Sequence, residues 1–234
     1  QASGGVIVPP VGYLRRIREV CKSHNILFVA DEVVTAFGRL GHWFASEDEF
    51  DMIPDIICSA KGLSSGYLPI GAMIYSNEVH EVISQSESGY FTSGFTYAGH
   101  PVSCAAALKN IEIMERENIL KNAHDVGLYF ENKLANLNDL PLVGNVRGKK
   151  MMMCVENVAN KETKELLPDE LNVGKLISNK AEELGLLVRP LGHLNVMSPS
   201  LTITVEDIDF IELNLKKAIM SVTDDLVRSG HKIS

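Results

Sequence analysis

No apolar run in this 234-residue chain approaches the roughly 18 residues that a membrane-spanning helix needs. There is no basic start followed by an apolar core, so a secretory signal peptide is not expected. Cysteine is scarce and scattered: Cys21, Cys58, Cys104 and Cys154 form no Cys-x-x-Cys pair. That spacing argues against a metal site and a disulfide framework, and it predicts reduced thiols in a cytoplasmic protein. Positive charge is in deficit, with 22 Lys and Arg against 30 Asp and Glu, a net charge of −8. Nucleic acid and anionic membranes are therefore poor partners. Internal repeats and low-complexity tracts are missing. So is an initiator Met: the chain opens Gln1-Ala2-Ser3-Gly4-Gly5, and the expectation is the downstream part of a longer protein.

What is present is ordinary globular composition, 45% hydrophobic and 22% charged, enough for one large domain or one with a smaller companion. Residues 12–24 have helical periodicity, with Leu14, Ile17, Val20 and Cys21 on one face. Ile26-Leu27-Phe28-Val29-Ala30 and Ile56-Ile57-Cys58-Ser59-Ala60 are short apolar runs that predict parallel strands covered on both faces. A third strand is expected over 71–75, and Asn77 is placed to cap a helix reaching about 85. Pro101 suits the first turn of a helix running to about 116, and a further helix covers roughly 120–137. Beyond residue 138 the texture changes. Short strands at 143–147, 151–156, 186–189 and 194–197 surround a helix at 173–184, and a last helix spans 205–227. The alternating first part predicts an α/β domain over 1–117, and the second part a smaller α+β domain over 118–234.

Asp31 and Lys61 stand out because each follows one of the apolar strands. Ligand chemistry in open α/β sheets gathers beyond the carboxyl ends of such strands. A carboxylate and an amine placed there are the parts needed to hold a pyridine-type cofactor by its ring nitrogen and its aldehyde. Taken singly, Asp31 is also compatible with a helix cap or salt bridge, and Lys61 with a surface lysine beside a Gly turn.

The wording around these residues is more specific. Asp31-Glu32-Val33-Val34-Thr35-Ala36-Phe37-Gly38-Arg39, Pro54-Asp55-Ile56-Ile57 with Ala60-Lys61-Gly62, and Gly66-Tyr67 with Pro69-Ile70-Gly71-Ala72 resemble the class III aminotransferases of the pyridoxal-phosphate fold type I superfamily. Gly94-Phe95-Thr96-Tyr97-Ala98-Gly99-His100-Pro101 and Val188-Arg189-Pro190 with Ser198-Pro199-Ser200-Leu201 continue the match in the family's order, over essentially the whole chain.

The resemblance implies the fold type I architecture, with part of the mainly parallel large-domain sheet followed by the small domain. It also implies pyridoxal 5′-phosphate as cofactor. Asp31 would pair with the ring nitrogen and keep it protonated, and Val33 would pack on one face of the ring. Lys61 would form the Schiff base with the aldehyde and then move protons as general base and acid. Thr96 would donate to the phosphate of the neighbouring subunit, which implies a homodimer; a local turn hydrogen bond is its alternative. Arg189 would clamp the carboxylate of pyruvate or an amino acid, the alternative being an exposed arginine before Pro190. His100 is expected to be structural. Lys149-Lys150 replaces the small residues usual at that point and carries no assigned role.

The implied activity is transfer of an amino group from an ω-amine or amino acid to pyruvate or another 2-oxo acid by ping-pong chemistry. An aminomutase or decarboxylase of the same class is the alternative reaction. A chain of this length is also compatible with an incompetent fragment, because family members are longer and carry further cofactor contacts upstream.

Overall fold

The structure, a computed structural model, describes residues 1–89 and 91–234. Tyr90, in the Gly- and hydroxyl-rich stretch before Pro101, lies outside the described residues. The chain divides into two compact units, residues 9–121 and residues 1–8 with 122–234.

In the unit of residues 9–121, helix α1 (Tyr13–Ser23) leads to strand β1 (Val29–Asp31). A one-turn helix α2 (Ala45–Asp48) precedes β2 (Ile56–Ser59), and a 3-10 turn at Lys61–Leu63 precedes β3 (Ala72–Tyr75). Helices α3 (Asn77–Ser84) and α4 (Pro101–Arg116) follow. The sheet order is β1-β2-β3. β1 and β2 run parallel, with Asp31 paired to Cys58, while β3 is an antiparallel edge. Asp55 ties these elements together. Its carboxylate accepts from the Phe28 amide at 2.7 Å and pairs with Arg18 of α1 at 2.5 Å, and its carbonyl accepts from the Ser76 amide at 2.9 Å.

Two expectations are corrected here. β1 is three residues long rather than the whole apolar run, and its surroundings are open. Val29 is 52% exposed, Leu27 58% and Ile53 65%, and neither α1 nor α3 has a buried residue. The strands carry the apolar residues of doubly covered sheet strands, but this chain does not supply that cover. The cap of α3 is Ser76, which accepts from the Val79 amide at 3.4 Å; Asn77 is already helical.

The other unit has its own core. Helix α5 (Ile119–Ala135) contains the point at which the units divide. Strands β4 (Val143–Lys149) and β5 (Met152–Asn157), helix α6 (Val173–Glu183), strands β6 (Arg189–Leu191) and β7 (Leu194–Met197) and helix α7 (Val205–Arg228) complete it. The sheet is antiparallel throughout in the order β4-β5-β7-β6. Phe130, Leu134, Val155, Ile177, Ile208, Leu215 and Ile219 form its centre, all fully buried. On α7 the buried positions Ile208, Ile211, Leu215, Ala218, Ile219 and Val222 recur every three or four residues, the stripe that one helix face lays on a core. A capping box starts that helix: the Thr204 hydroxyl accepts from the Asp207 amide, and the Asp207 carboxylate accepts from the Thr204 amide at 3.0 Å. The strand expected at 186–189 begins instead at Arg189. Leu186 and Val188 enter the core one step earlier, as chain between α6 and β6.

Candidate active site

Parallel pairing brings Asp31 and Lys61 to the same end of the sheet, at the carboxyl ends of β1 and β2. Asp31 ends β1, its register partner Cys58 lies in β2, and Lys61 follows three residues later, beyond the end of β2. Both residues are exposed in this chain. The Asp31 carboxylate accepts from the Val33 amide at 3.1 Å, which orients it and places half-buried Val33 beside it. Among the described residues, the Lys61 ammonium has neither a hydrogen-bond partner nor an ion-pair partner.

The backbone at Lys61 is unusual. Its φ is +31°, in the left-handed region that side chains other than glycine seldom adopt. Such a residue persists only where its surroundings hold it, at a cost of about 1–3 kcal/mol. Two sets of contacts do so. On one side, Gly62 packs against the loop after β1 so closely that a Cβ would lie 2.9 Å from Phe37 Cβ and 3.2 Å from the Phe37 carbonyl oxygen. On the other, the Asn110 carboxamide of α4 donates to the carbonyls of Gly62 at 2.9 Å and Leu63 at 3.1 Å. The Phe37 ring meets Trp43 and Phe44 edge-on, which gives that loop an apolar centre.

Glu32 and Asn110 were not singled out from the sequence. Glu32 is 3% exposed, and its carboxylate accepts from the amides of Ala45 at 2.7 Å and Ser46 at 2.8 Å and from the hydroxyls of Thr35 and Ser46. Period-2 alternation along β1, with Ala30 inside and Asp31 outside, was its available signal. Asn110 left no local signal, since its partners lie 47 and 48 residues away.

Thr96 is exposed in the turn before α4, and among the described residues its hydroxyl has no partner within the chain. His100 caps α4 through its backbone, its carbonyl accepting from the Cys104 amide at 3.0 Å; the side chain makes no capping bond. Arg189 belongs to the other unit, where it opens β6, pairs in register with Val196 and is exposed. Lys150 is the first residue of the two-residue turn between β4 and β5, with φ +46°, a position glycine would favour. The Glu131 carboxylate of α5 accepts from its amide. No helix among the described residues is long and apolar enough to cross a membrane.

Comparison with known proteins identifies the family. The family model for class-III aminotransferases matches residues 1–219. An uncharacterized aminotransferase, y4uB, of Sinorhizobium fredii is 40% identical over 99% of this chain and 50% of that protein. A putrescine–pyruvate aminotransferase of Pseudomonas aeruginosa is 42% identical over 89% of this chain and 45% of that protein. The solved structure of an amine transaminase from an uncultivated Pseudomonas species, in its PLP-bound form, superimposes with a TM-score of 0.89 at 39% identity, covering 95% of this chain and 50% of the other. The chain thus spans about half the length of the relatives it matches, and its fold is that of the fold type I transaminases. By this match along nearly its whole length, the chain belongs to the class-III aminotransferase family.

Proposed function

We propose that this chain supplies the catalytic lysine and the ring-nitrogen carboxylate of a pyridoxal-phosphate-dependent aminotransferase. In this reading the whole enzyme moves an amino group from an ω-amine or amino acid to pyruvate or another 2-oxo acid by ping-pong chemistry. Residues 1–117 form the C-terminal part of the cofactor-binding domain and 118–234 the small domain, in a cytoplasmic homodimer. The observation that carries it is the placement of Asp31 and Lys61 at the carboxyl end of a parallel strand pair, in a chain of this family.

The residues present fit the cofactor. An exposed carboxylate oriented by a backbone amide suits a protonated ring nitrogen. An exposed amine with no partner among the described residues suits an aldehyde. When bound, pyridoxal phosphate supplies the electron sink that lets a substrate carbon lose its proton. Asp31 holds the proton on the ring nitrogen. Val33 packs against the ring. The Lys61 amine would hold the cofactor by its aldehyde when no substrate is bound; once displaced, it would take a proton from the substrate's Cα as base and deliver it as acid to the cofactor's C4′ carbon. The Thr96 hydroxyl donates to the phosphate held by the neighbouring subunit. The Arg189 guanidinium grips a substrate carboxylate through paired N–H donors.

The test is made on the full-length protein. The wild type is expected to show the absorbance band of a lysine-bound cofactor and stoichiometric transfer of the amino group to pyruvate, and Lys61→Ala is expected to lose both. Survival of that band in Lys61→Ala, or its absence from the wild type, would refute the assignment.

A further inference from the structure

Glu32 is a buried carboxylate next to the residue proposed to hold the cofactor ring, and the chemistry just described gives it no task. Its partners lie in the sequence on the far side of a loop: the amides of Ala45 and Ser46 and the Ser46 hydroxyl, with the Thr35 hydroxyl near the loop's start. The Glu32 backbone also extends the sheet, its amide donating to the Cys58 carbonyl at 2.8 Å. The carboxylate therefore closes residues 32–46 into a ring anchored on the β1–β2 pair. Part of that ring, Ala36 and Phe37, abuts Gly62. A Cβ on Gly62 would lie 3.3 Å from the Ala36 carbonyl oxygen as well as against Phe37. The same ring begins one residue after Asp31 and carries Val33.

We propose that Glu32 is the positioning residue of this site, setting Asp31 and the strained Lys61–Gly62 turn through the loop it closes. The physical basis is that a buried carboxylate with several N–H and O–H donors is held strongly and tolerates little displacement. Its strand neighbour must then point the opposite way, which turns the Asp31 carboxylate outward. On the other side of the loop, Phe37 and Ala36 pack so closely on Gly62 that no side chain would fit there, next to Lys61 at φ +31°. Without this loop the turn would be gripped from one side only, by Asn110.

The proposal rests on the roles assigned above to Asp31 and Lys61, and its test separates the two. In the full-length holoenzyme, Glu32→Gln keeps the side-chain volume but sets a carboxamide NH2 against backbone N–H donors. Expected are at least tenfold faster hydrogen exchange at the Ala45 and Ser46 amides and at least tenfold weaker cofactor binding. The 15N resonance of pyridine-15N-labelled pyridoxal phosphate should also shift, because the Asp31 partner has moved. Faster exchange with cofactor affinity within twofold of wild type and an unchanged 15N shift would overturn the proposal, leaving Glu32 a purely structural clamp. Should Glu32→Gln not fold, Thr35→Val decides, since it removes one donor and keeps the carboxylate and its amide partners. Cofactor binding weakened two- to fivefold supports the proposal, and unchanged affinity overturns it. A wild type that binds no cofactor would strike at the assignment of Asp31 and Lys61 beneath it.

Discussion

At Arg189 a single exposed guanidinium opens β6, and among the described residues it has no ion-pair partner. If it grips the substrate carboxylate, Arg189→Gln removes a charge-assisted pair worth roughly 1.5–3 kcal/mol. The KM for pyruvate should then rise about 10- to 100-fold, while the KM for an amine donor lacking a carboxylate stays within about twofold. Initial rates on the two substrate types check this, and equal effects on both would remove Arg189 from carboxylate recognition. Cys154 shows the opposite situation, a titratable group with no room to ionise. Burial pushes its thiol up to about 11 from an ordinary value of 9.0. The stability this contributes is fully present below pH 9 and is lost as pH rises through about 11. The loss amounts to roughly 2–3 kcal/mol. Urea unfolding between pH 8 and 11 should show this decline, and Cys154→Ala should flatten it.

Among the elements, α5 and the β4–β5 hairpin constrain each other at one point. Gly127 lies within α5, where alanine is normally better by about 1 kcal/mol. Here the added Cβ would sit 2.6 Å from Lys150 Cβ and 2.9 Å from its Cα, backbone that cannot swing away. Gly127→Ala is therefore expected to destabilise the protein by about 1–3 kcal/mol, against its helix propensity. Chemical denaturation measures the sign directly, and a stabilised variant would refute the packing argument. The same contact gives Lys150 a structural place: where the family resemblance leads one to expect small residues, a lysine takes the turn's left-handed position and the Glu131 carboxylate accepts from its amide. The long helices were legible in the sequence: Pro101 marks the first turn of α4, and the helix expected over 205–227 is α7. The strand containing Arg189 was not legible in its register. Leu186 and Val188 alternate like strand residues, yet they turn into the core before the ladder with β7 begins at Arg189.

Over the chain as a whole, the two units differ in how much of their apolar surface they cover themselves. Residues 122–234 enclose a core of fully buried side chains, whereas the β1–β3 sheet leaves Ile26, Leu27, Val29, Met73 and Ile74 exposed. Exposed apolar surface of this extent marks an interaction face. The chain tested alone should therefore bind a hydrophobic dye such as ANS strongly and pyridoxal phosphate weakly or not at all. The full-length protein should reverse both. A chain that binds the cofactor tightly by itself would show that these strands need no further cover. The residues proposed to meet cofactor and substrate could be picked out from the sequence, because Asp31, Lys61, Thr96 and Arg189 each stand in local wording that a linear pattern can carry. So could the pairing of apolar runs into parallel strands. The strain at Lys61, the grip of Asn110 and the buried carboxylate of Glu32 were decided only by the tertiary structure. These depend on contacts between residues 13 to 48 positions apart, and on which face of a strand turns inward. Local sequence dictates dihedral preference and periodicity; burial and close approach exist only once separate segments have packed.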